Sequence, residues 1–434
     1  MAYLSAERQL GLMQTTSLVT GNLVGSGVFL LPATLALYGN IALIAWTVTG
    51  IGALMLAWIF AKLSLHSDQN GGPHQFVSKA FGKSFGYWVA WGYWVLSWIS
   101  NAALIVAAVS YASTVMGGLS PFQSLCLELL ILFGITFINI LGIKFAGKFE
   151  LVMTCLKLIP LIGIPWIGFF VVDWSAFEFT LPQDISLSEG LRNAMFLTLW
   201  GFVGLETATV TSGEVKHSVK TVPLATLLGT TLALIVYISG SLVMLALLGP
   251  QFLSQSAAPY ADLAGHLFGG NWTLLIAICA LVCCLGSFNG WTMVVGRIAQ
   301  GAANEGLFPK IFAQVNQKRT PTFSILISAT CTLFILFLSF GDGLIDQFNA
   351  IIDISVTLIL LVYAACLLSF FKIFRNQLTL LHSLLLSGAA LFVGFSLWTA
   401  GIKMVAFSLL LLVLGVPMRY TMNFKPKNTH NGYR

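Results

Sequence analysis

The sequence is poor in charge. Only 8% of its 434 residues are Asp, Glu, Lys or Arg, against roughly 25% in an average soluble domain. Hydrophobic residues make up 57% of the chain. Its 15 acidic and 21 basic side chains are too few to form the charged shell that a water-soluble protein of this size needs, so most of the outer surface must face lipid. We therefore expect a polytopic membrane protein, and a secreted, fibrous or disordered chain is excluded.

The sequence also lacks the motifs of metal and acid–base chemistry. Its seven cysteines lie in apolar stretches without ligand spacing, and we expect them to be small packing residues. The six histidines form neither an HExxH motif nor a close pair. The basic residues are dispersed rather than clustered between aromatic residues. We therefore expect no metal, no cofactor, no enzymatic activity and no nucleic-acid partner.

Long apolar runs dominate the rest of the chain. Only helices or closed barrels satisfy their backbone in lipid, so these runs predict an all-α fold. Each span needs about 20 apolar residues. Twelve such segments can be drawn, and they predict twelve transmembrane helices between terminal tails at 1–12 and 422–434: 13–38, 41–63, 84–116, 121–142, 149–172, 192–212, 222–248, 272–300, 322–340, 347–371, 379–400 and 402–421.

The distribution of basic residues predicts the orientation of these spans, because positively charged loops stay in the cytoplasm. With both termini inside, the external loops contain only Arg192 and Lys403 among the Lys and Arg residues. The loop between the fifth and sixth spans carries acidic residues instead: Asp173, Glu178, Asp184 and Glu189. The sequence therefore predicts two cytoplasmic termini.

Glycines interrupt two spans that lie five spans apart. Gly25-Ser26-Gly27 falls in the first span, and Gly201 and Gly204 fall in the sixth. Matched interruptions of this kind are typical of a transporter whose site is formed by broken helices at an inverted-repeat interface. Residues 13–172 and 192–371 would be the two five-span repeats, and residues 379–421 would be an appended pair of spans. The alternative is that these glycines only permit close helix packing.

Three runs carry a family resemblance: Gly21–Pro32 (GNLVGSGVFLLP), Leu199–Glu206 (LWGFVGLE) and Leu285–Thr292 (LGSFNGWT). They resemble the amino acid/polyamine/organocation transporter superfamily, in particular its bacterial antiporters that exchange arginine for agmatine, lysine for cadaverine or ornithine for putrescine. The resemblance implies the five-plus-five fold with broken helices 1 and 6, a location in the bacterial inner membrane, and the possibility of a homodimer.

The resemblance also implies where the substrate binds. Backbone N–H groups at Ser26 and Gly27 would bind a carboxylate, and carbonyls freed near Gly201 and Gly204 would accept hydrogen bonds from a cation. Indole faces attract such cations by about 0.5–2 kcal/mol. The other matching positions are the pocket residues Asn101, Trp291 and Ser355, the occluding Trp200, and the gating tyrosines Tyr93 and Tyr363. Lipid anchoring or core packing is the alternative for a lone Trp or Tyr.

Ionisable residues inside spans are costly and therefore indicate function, and three of them stand out. Glu206 matches the glutamate whose protonation couples gating to pH in the antiporters; a structural carboxylate is the alternative. Asp353 either faces the pocket or lies near a cap, and the sequence leaves both open. Lys157 departs from the small apolar residue of the antiporters and matches a lysine of some sodium-independent, proton-coupled relatives. Its ammonium would stand where sodium otherwise sits; snorkelling to the membrane surface is the alternative.

The expected function is secondary active transport of amino acids by alternating access. An antiporter that exchanges a cationic amino acid for its amine or a polyamine is the first hypothesis. Sodium-independent, proton-coupled symport of neutral or broad-range amino acids is the alternative, because Lys157 permits proton coupling. Gly201 replaces a serine of the arginine exchanger, so substrate identity stays open. A channel is disfavoured because no carbonyl filter or ring of pore charges is present.

Overall fold

The structure is a computed structural model that describes residues 10–66, 71–177, 179, 185–256, 258–270, 272–340 and 344–422, with backbone alone at residues 30, 143, 273 and 344–350. Most of both predicted tails, and the loop residues Glu178 and Asp184, lie outside the described residues. Within those ranges the chain is helical, and its β pairing is limited to one bridge between Leu10 and Val215. The all-α prediction is confirmed.

The helices follow one another closely along the chain. They are α1 (Leu12–Leu23), α2 (Ser26–Ala36), α3 (Ile41–Ser64), α4 (Pro73–Phe81), α5 (Lys83–Val115), α6 (Pro121–Ile140), α7 (Ile143–Val171), α8 (Leu187–Leu199), α9 (Thr207–Val210), α10 (Ser218–Leu248), α11 (Pro250–Ser254), α12 (Pro259–Phe268), α13 (Trp272–Asn304), α14 (Thr322–Leu338), α15 (Leu344–Phe374), α16 (Leu380–Val413) and α17 (Val416–Tyr420). Short 3₁₀ turns cover Trp200–Phe202, Ser212–Glu214 and Lys310–Ala313.

Eight stretches of the described chain are long and apolar enough to cross a membrane. They are Ile41–Ser64, Lys83–Val115, Pro121–Ile140, Lys144–Val171, Ser218–Leu248, Leu274–Asn304, Ile351–Phe374 and Leu380–Tyr420. The last of these contains a non-helical residue, Gly401, with φ of 80°. The chain is therefore a multi-pass membrane protein.

The start of α8 differs from the sequence prediction. The predicted span began at residue 192, whereas the helix begins at Leu187 because Ser186 caps it: the Ser186 hydroxyl accepts a hydrogen bond from the Glu189 N–H at 3.3 Å. Glu189 therefore lies in the first helical turn rather than in a loop. A carboxylate in that position interacts favourably with the helix dipole.

The centre of the molecule is formed by α5 and the helices around it. In the span Lys83–Val115, 89% of the most apolar 18-residue stretch is buried, against 11% of the corresponding stretch in Leu380–Tyr420. α5 packs against α4, α13, α14 and α15, and α1 packs against α7, α10 and α13. The buried cysteines, Cys283, Cys284 and Cys366, are packing residues as predicted, but Cys126 and Cys155 are exposed on α6 and α7, so the packing prediction is wrong for those two.

Candidate substrate site at two helix breaks

The first break separates α1 from α2 and consists of Val24 and Gly25. No side chain caps the N-terminus of α2, and the first N–H groups of a helix have no partner within it. That end of α2 can therefore bind a carboxylate. A Cβ at Gly25 would lie 3.0 Å from Ser287 Oγ and 3.3 Å from Leu104 Cδ2, so the backbone passes too close to α13 for a larger residue.

The carbonyl end of α1 is occupied by donors from other helices. Lys157 Nζ donates to Gly21 O at 2.7 Å, and the Ser287 hydroxyl lies 2.6 Å from the same oxygen. The C-terminal end of a helix carries a partial negative charge, so an ammonium group is favourable there. Lys157 is 0% exposed. The structure thus places Lys157 at the break and not at the membrane surface, where a snorkelling lysine would lie.

The second break follows α8 and has two parts. The 3₁₀ turn Trp200–Phe202 comes first, and a non-helical segment then leads to Thr207. Within it, Gly204 has φ of +113°, and a Cβ there would lie 3.0 Å from Trp291 Cζ2. The Gly204 carbonyl accepts a hydrogen bond from the Thr207 hydroxyl at 2.8 Å. The Thr207 N–H donates to the same oxygen at 3.0 Å. We expected that carbonyl to be free for a ligand, but both of its lone pairs are occupied.

Tyr237 on α10 connects the two breaks. Its hydroxyl lies 2.6 Å from Leu23 O at the first break and 3.0 Å from Gly201 O at the second. The ring stacks on Trp46 with a centroid distance of 4.4 Å. Sequence reasoning missed Tyr237, because a single tyrosine within a long apolar run carries no signal of the distant carbonyls that it binds.

Trp200 covers the first break. Its Nε1 donates to Ser26 Oγ at 3.3 Å, and a Cβ at Gly27 would lie 2.9 Å from Trp200 Cδ1. Trp291 lies against Gly204 of the second break, and its Nε1 donates to Asn22 O at 3.4 Å. The structure thus brings the predicted carboxylate-binding residues directly under the predicted occluding indole.

Glu206 joins two helices through its carboxylate. Oε1 accepts a hydrogen bond from Tyr93 on α5, and Oε2 accepts one from Tyr363 on α15, both at 2.5 Å. All three side chains are buried. Both oxygens of an ionised carboxylate act only as acceptors, whereas protonation turns one of them into a donor. A proton on Glu206 would therefore require one of the two tyrosine hydrogen bonds to reverse or break, so the contacts of this cluster depend on the protonation of Glu206.

The helices α5 and α15 run in opposite directions. Lys372, near the end of α15, lies 4.6 Å from the ring centroid of Phe81, which closely precedes α5. Further along α5, Tyr93 meets Tyr363 at their shared carboxylate. Advancing along α5 therefore corresponds to moving backwards along α15.

This antiparallel arrangement places Asn101 and Ser355 at one level. Asn101 lies eight residues after Tyr93, and Ser355 lies eight residues before Tyr363, a rise of about 12 Å in each case. Asn101 Oδ1 and Ser355 Oγ are buried, and neither has a hydrogen-bond partner in the described structure. Leu104, one turn after Asn101, lies beside Gly25 at the first break. Buried polar atoms are nearly always paired, so these two are suited to a polar ligand. Asp353, two residues from Ser355, lies on the other side of α15.

Gly71 and Gly72 hold the start of α4 against α9, the short helix that follows the second break. Their φ angles are 145° and 66°. The Gly71 N–H donates to Val210 O at 2.9 Å, and a Cβ at Gly72 would lie 2.7 Å from Thr209 Oγ1. A movement of the second break would therefore be passed to α4.

His74 on α4 lies outside the membrane-spanning helices and is fully buried. Burial lowers the pKa of His74 to about 3, because desolvation disfavours the charged imidazolium. His74 is therefore neutral at every pH above about 4.

The chain is similar to known proteins over most of its length. The family profile described as amino acid permease matches residues 10–433. The chain therefore belongs to the amino acid permease family. This permease is 34% identical to the cadaverine/lysine antiporter of Escherichia coli strain K12, over 83% of its own length and 82% of the relative. It is 30% identical to the putrescine transporter PotE of the same strain and 29% identical to that of Haemophilus influenzae, each over 80% of both chains. The family resemblance inferred from the three sequence runs is confirmed.

The Glu206 cluster leads to a prediction for the permease. Glu206→Gln cannot ionise, so its transport rate should vary by less than about twofold between pH 5 and 8. Initial transport rates in proteoliposomes across that range test this. His74→Gln is the matched control, because His74 does not titrate there and its replacement should leave the wild-type pH profile intact. A wild-type profile in Glu206→Gln would contradict the gating role.

Proposed function

We propose that this permease is a secondary active antiporter that exchanges a cationic amino acid for its decarboxylated amine or a related polyamine. The observation that carries the proposal is the uncapped N-terminus of α2 beneath Trp200. Similarity to a cadaverine/lysine antiporter and to putrescine transporters supports it. The relatives do not favour proton-coupled symport of a neutral amino acid.

One site can serve both substrates because backbone amides recognise the carboxylate. An amino acid presents its carboxylate to the N–H groups of Ser26 and Gly27. The amine lacks that group, and water can satisfy neutral amides in its place. A fixed arginine would instead be left as an uncompensated buried charge. The shared cationic end of both substrates would lie among the indoles of Trp200 and Trp291 and the free oxygens of Asn101 and Ser355.

The mechanism that fits these residues is alternating access. Trp200 occludes the bound substrate, and the Tyr93–Glu206–Tyr363 cluster closes the path between α5 and α15. Opening requires the carboxylate to lose at least one tyrosine, so the cluster sets when the path opens. Lys157 completes the first break without a sodium ion.

The architecture that we propose has twelve spans arranged as two inverted repeats, at residues 13–172 and 192–371, followed by the pair at 379–421. Breaks in α1–α2 and α8–α9 fall in the first span of each repeat, which supports this division. The non-helical Gly401 supports a turn between the last two spans.

We further propose that both termini are cytoplasmic and that the membrane is the bacterial inner membrane. The basic residues support this orientation. Arg192 lies 5.7 Å from the ring centroid of Trp398, which agrees with a shared external location for the start of α8 and the residues just before Gly401. A homodimer rests on the family resemblance alone.

Counterflow in proteoliposomes tests the proposed function. Vesicles would be preloaded with arginine, lysine, ornithine, agmatine, cadaverine, putrescine, a neutral amino acid or nothing, and labelled lysine or arginine would be added outside. Uptake should require an internal partner and should be fastest for one cationic amino acid–amine pair. Equal uptake into empty vesicles driven by a proton gradient would contradict exchange and establish symport.

A further inference from the structure

A second buried charge lies beside Lys157. Glu150 on α7 is 1% exposed. Its Oε2 accepts a hydrogen bond from Asn289 Nδ2 on α13 at 3.0 Å, and its Oε1 accepts one from the Thr154 hydroxyl at 3.3 Å. Asn289 Oδ1 in turn accepts from Asn139 Nδ2 on α6 at 3.0 Å. These hydrogen bonds fix the carboxylate between α6, α7 and α13.

The Glu150 carboxylate also lies against the first broken span. A Cβ at Gly21 would overlap Glu150 Oε1, and a Cβ at Gly290 would lie 3.2 Å from Oε2 and would overlap Asn22 Oδ1. Glu150 is therefore next to the carbonyl end of α1. Negative charge is unfavourable at that end of a helix, so this position requires a nearby cation.

Lys157 supplies that cation. It lies seven residues after Glu150, which is two helical turns and the same face of α7. Both side chains converge on Gly21: Lys157 Nζ binds its carbonyl oxygen, and the Glu150 carboxylate lies against its Cα. Opposite charges that are held at one backbone position attract one another. Each charge alone would be costly to bury, whereas the pair is neutral overall.

The other groups around Lys157 do not provide a counter-charge. Ser287 Oγ accepts from Nζ at 3.0 Å and is uncharged. Cys283 and Cys284 on α13 are the titratable groups that face Lys157 from outside its own helix, among the described residues. A buried thiol is neutral at physiological pH. Glu150 is therefore the anion that compensates Lys157.

We propose that Glu150 is a positioning residue that keeps Lys157 charged through the whole transport cycle, so that the pair replaces a coupling cation and exchanges no proton with solution. This rests on the proposed exchange function. Lys157 remains an ammonium group and Glu150 a carboxylate while the breaks move around them. The pair then stabilises the broken span as a bound sodium ion would. The exchange of one substrate for the other is then the only coupled process.

Glu150→Gln tests this role. Without its anion, the Lys157 ammonium would be an uncompensated buried charge, and the neutral amine is favoured instead. The Lys157 amine can take up a proton at one face of the membrane and release it at the other, so each proton taken up is also released. We expect uptake into empty vesicles to rise about fivefold or more in a proton gradient, together with a pH profile steeper than that of the wild type.

Glu128→Gln is the matched control, because Glu128 is a buried carboxylate on α6 that is 4% exposed and does not interact with Lys157. It should behave as the wild type. If the wild-type protein shows no counterflow, the proposed function itself is refuted. Normal counterflow in Glu150→Gln, with an unchanged pH profile and no gradient-driven uptake, would overturn the role of Glu150 alone.

A double variant covers poor folding of Glu150→Gln. Glu150→Gln with Lys157→Met removes both charges and should recover a larger folded yield than either single change. Size-exclusion profiles in detergent measure that yield. Equally low folded yields of the two single variants and the double variant would contradict the pairing of Glu150 with Lys157.

Discussion

Lys157→Ala should lower the free energy of unfolding by about 3–5 kcal/mol, because it leaves Glu150 as an uncompensated buried charge. The change also removes the ammonium group from Gly21 O at the carbonyl end of α1. Thermal unfolding in detergent, followed by intrinsic fluorescence, would measure the loss as a lower midpoint. This is the largest stability effect that we expect from removing one side chain.

The control for this measurement is Lys62→Ala. Lys62 lies 5.5 Å from the ring centroid of Trp58 near the end of α3. Both side chains are half-buried, and such contacts contribute about 0.5–2 kcal/mol. Its midpoint should stay close to that of the wild type. Equal midpoints for both lysine variants would contradict the buried charge pair.

Trp200→Leu should reduce exchange at least about tenfold, which corresponds to about 1.4 kcal/mol, while the protein remains folded in the membrane. Leucine cannot donate to Ser26 Oγ, offers no π face to a cation and cannot close over Gly27. Leucine keeps the backbone N–H and C=O of residue 200, so the hydrogen bond from the Val203 N–H to the carbonyl of residue 200 is retained. Initial exchange rates in proteoliposomes, normalised to folded protein, would measure the effect.

Trp166→Leu is the control for the loss of an indole. Trp166 is 66% exposed on α7, and its replacement should leave exchange unchanged. Unimpaired exchange in Trp200→Leu, or loss of its folded protein, would refute the occluding role.

The breaks could be predicted because glycines mark them directly. Gly25 and Gly204 stand where the backbone approaches another helix too closely for a side chain, and a sequence displays that feature as a pair of glycines at matched positions. The Glu206 cluster followed from the family resemblance. Its geometry, with one tyrosine on each carboxylate oxygen, needed the three-dimensional arrangement of α5 and α15.

Glu150 could not be found in the same way, because its position depends on where α7 begins. A span predicted to start at residue 149 puts Glu150 at the edge of the membrane, beside Lys148, where a charge is unremarkable. The helix begins at Ile143 instead, so Glu150 lies two turns after the start of α7 and is buried. Its partners, Asn289 and the backbone of Gly21, come from helices that are distant in sequence, and no local pattern predicts such contacts.

The most direct test of the central claim is the stoichiometry of exchange. Vesicles containing the wild-type protein would be filled with one labelled amine, such as cadaverine, and labelled lysine would be added outside, so that influx and efflux are counted together. The account predicts one lysine entering for each amine leaving and no efflux without external substrate. The ratio of influx to efflux should be the same with and without a proton gradient across the membrane. Lysine accumulation without amine efflux, driven by the proton gradient, would contradict it.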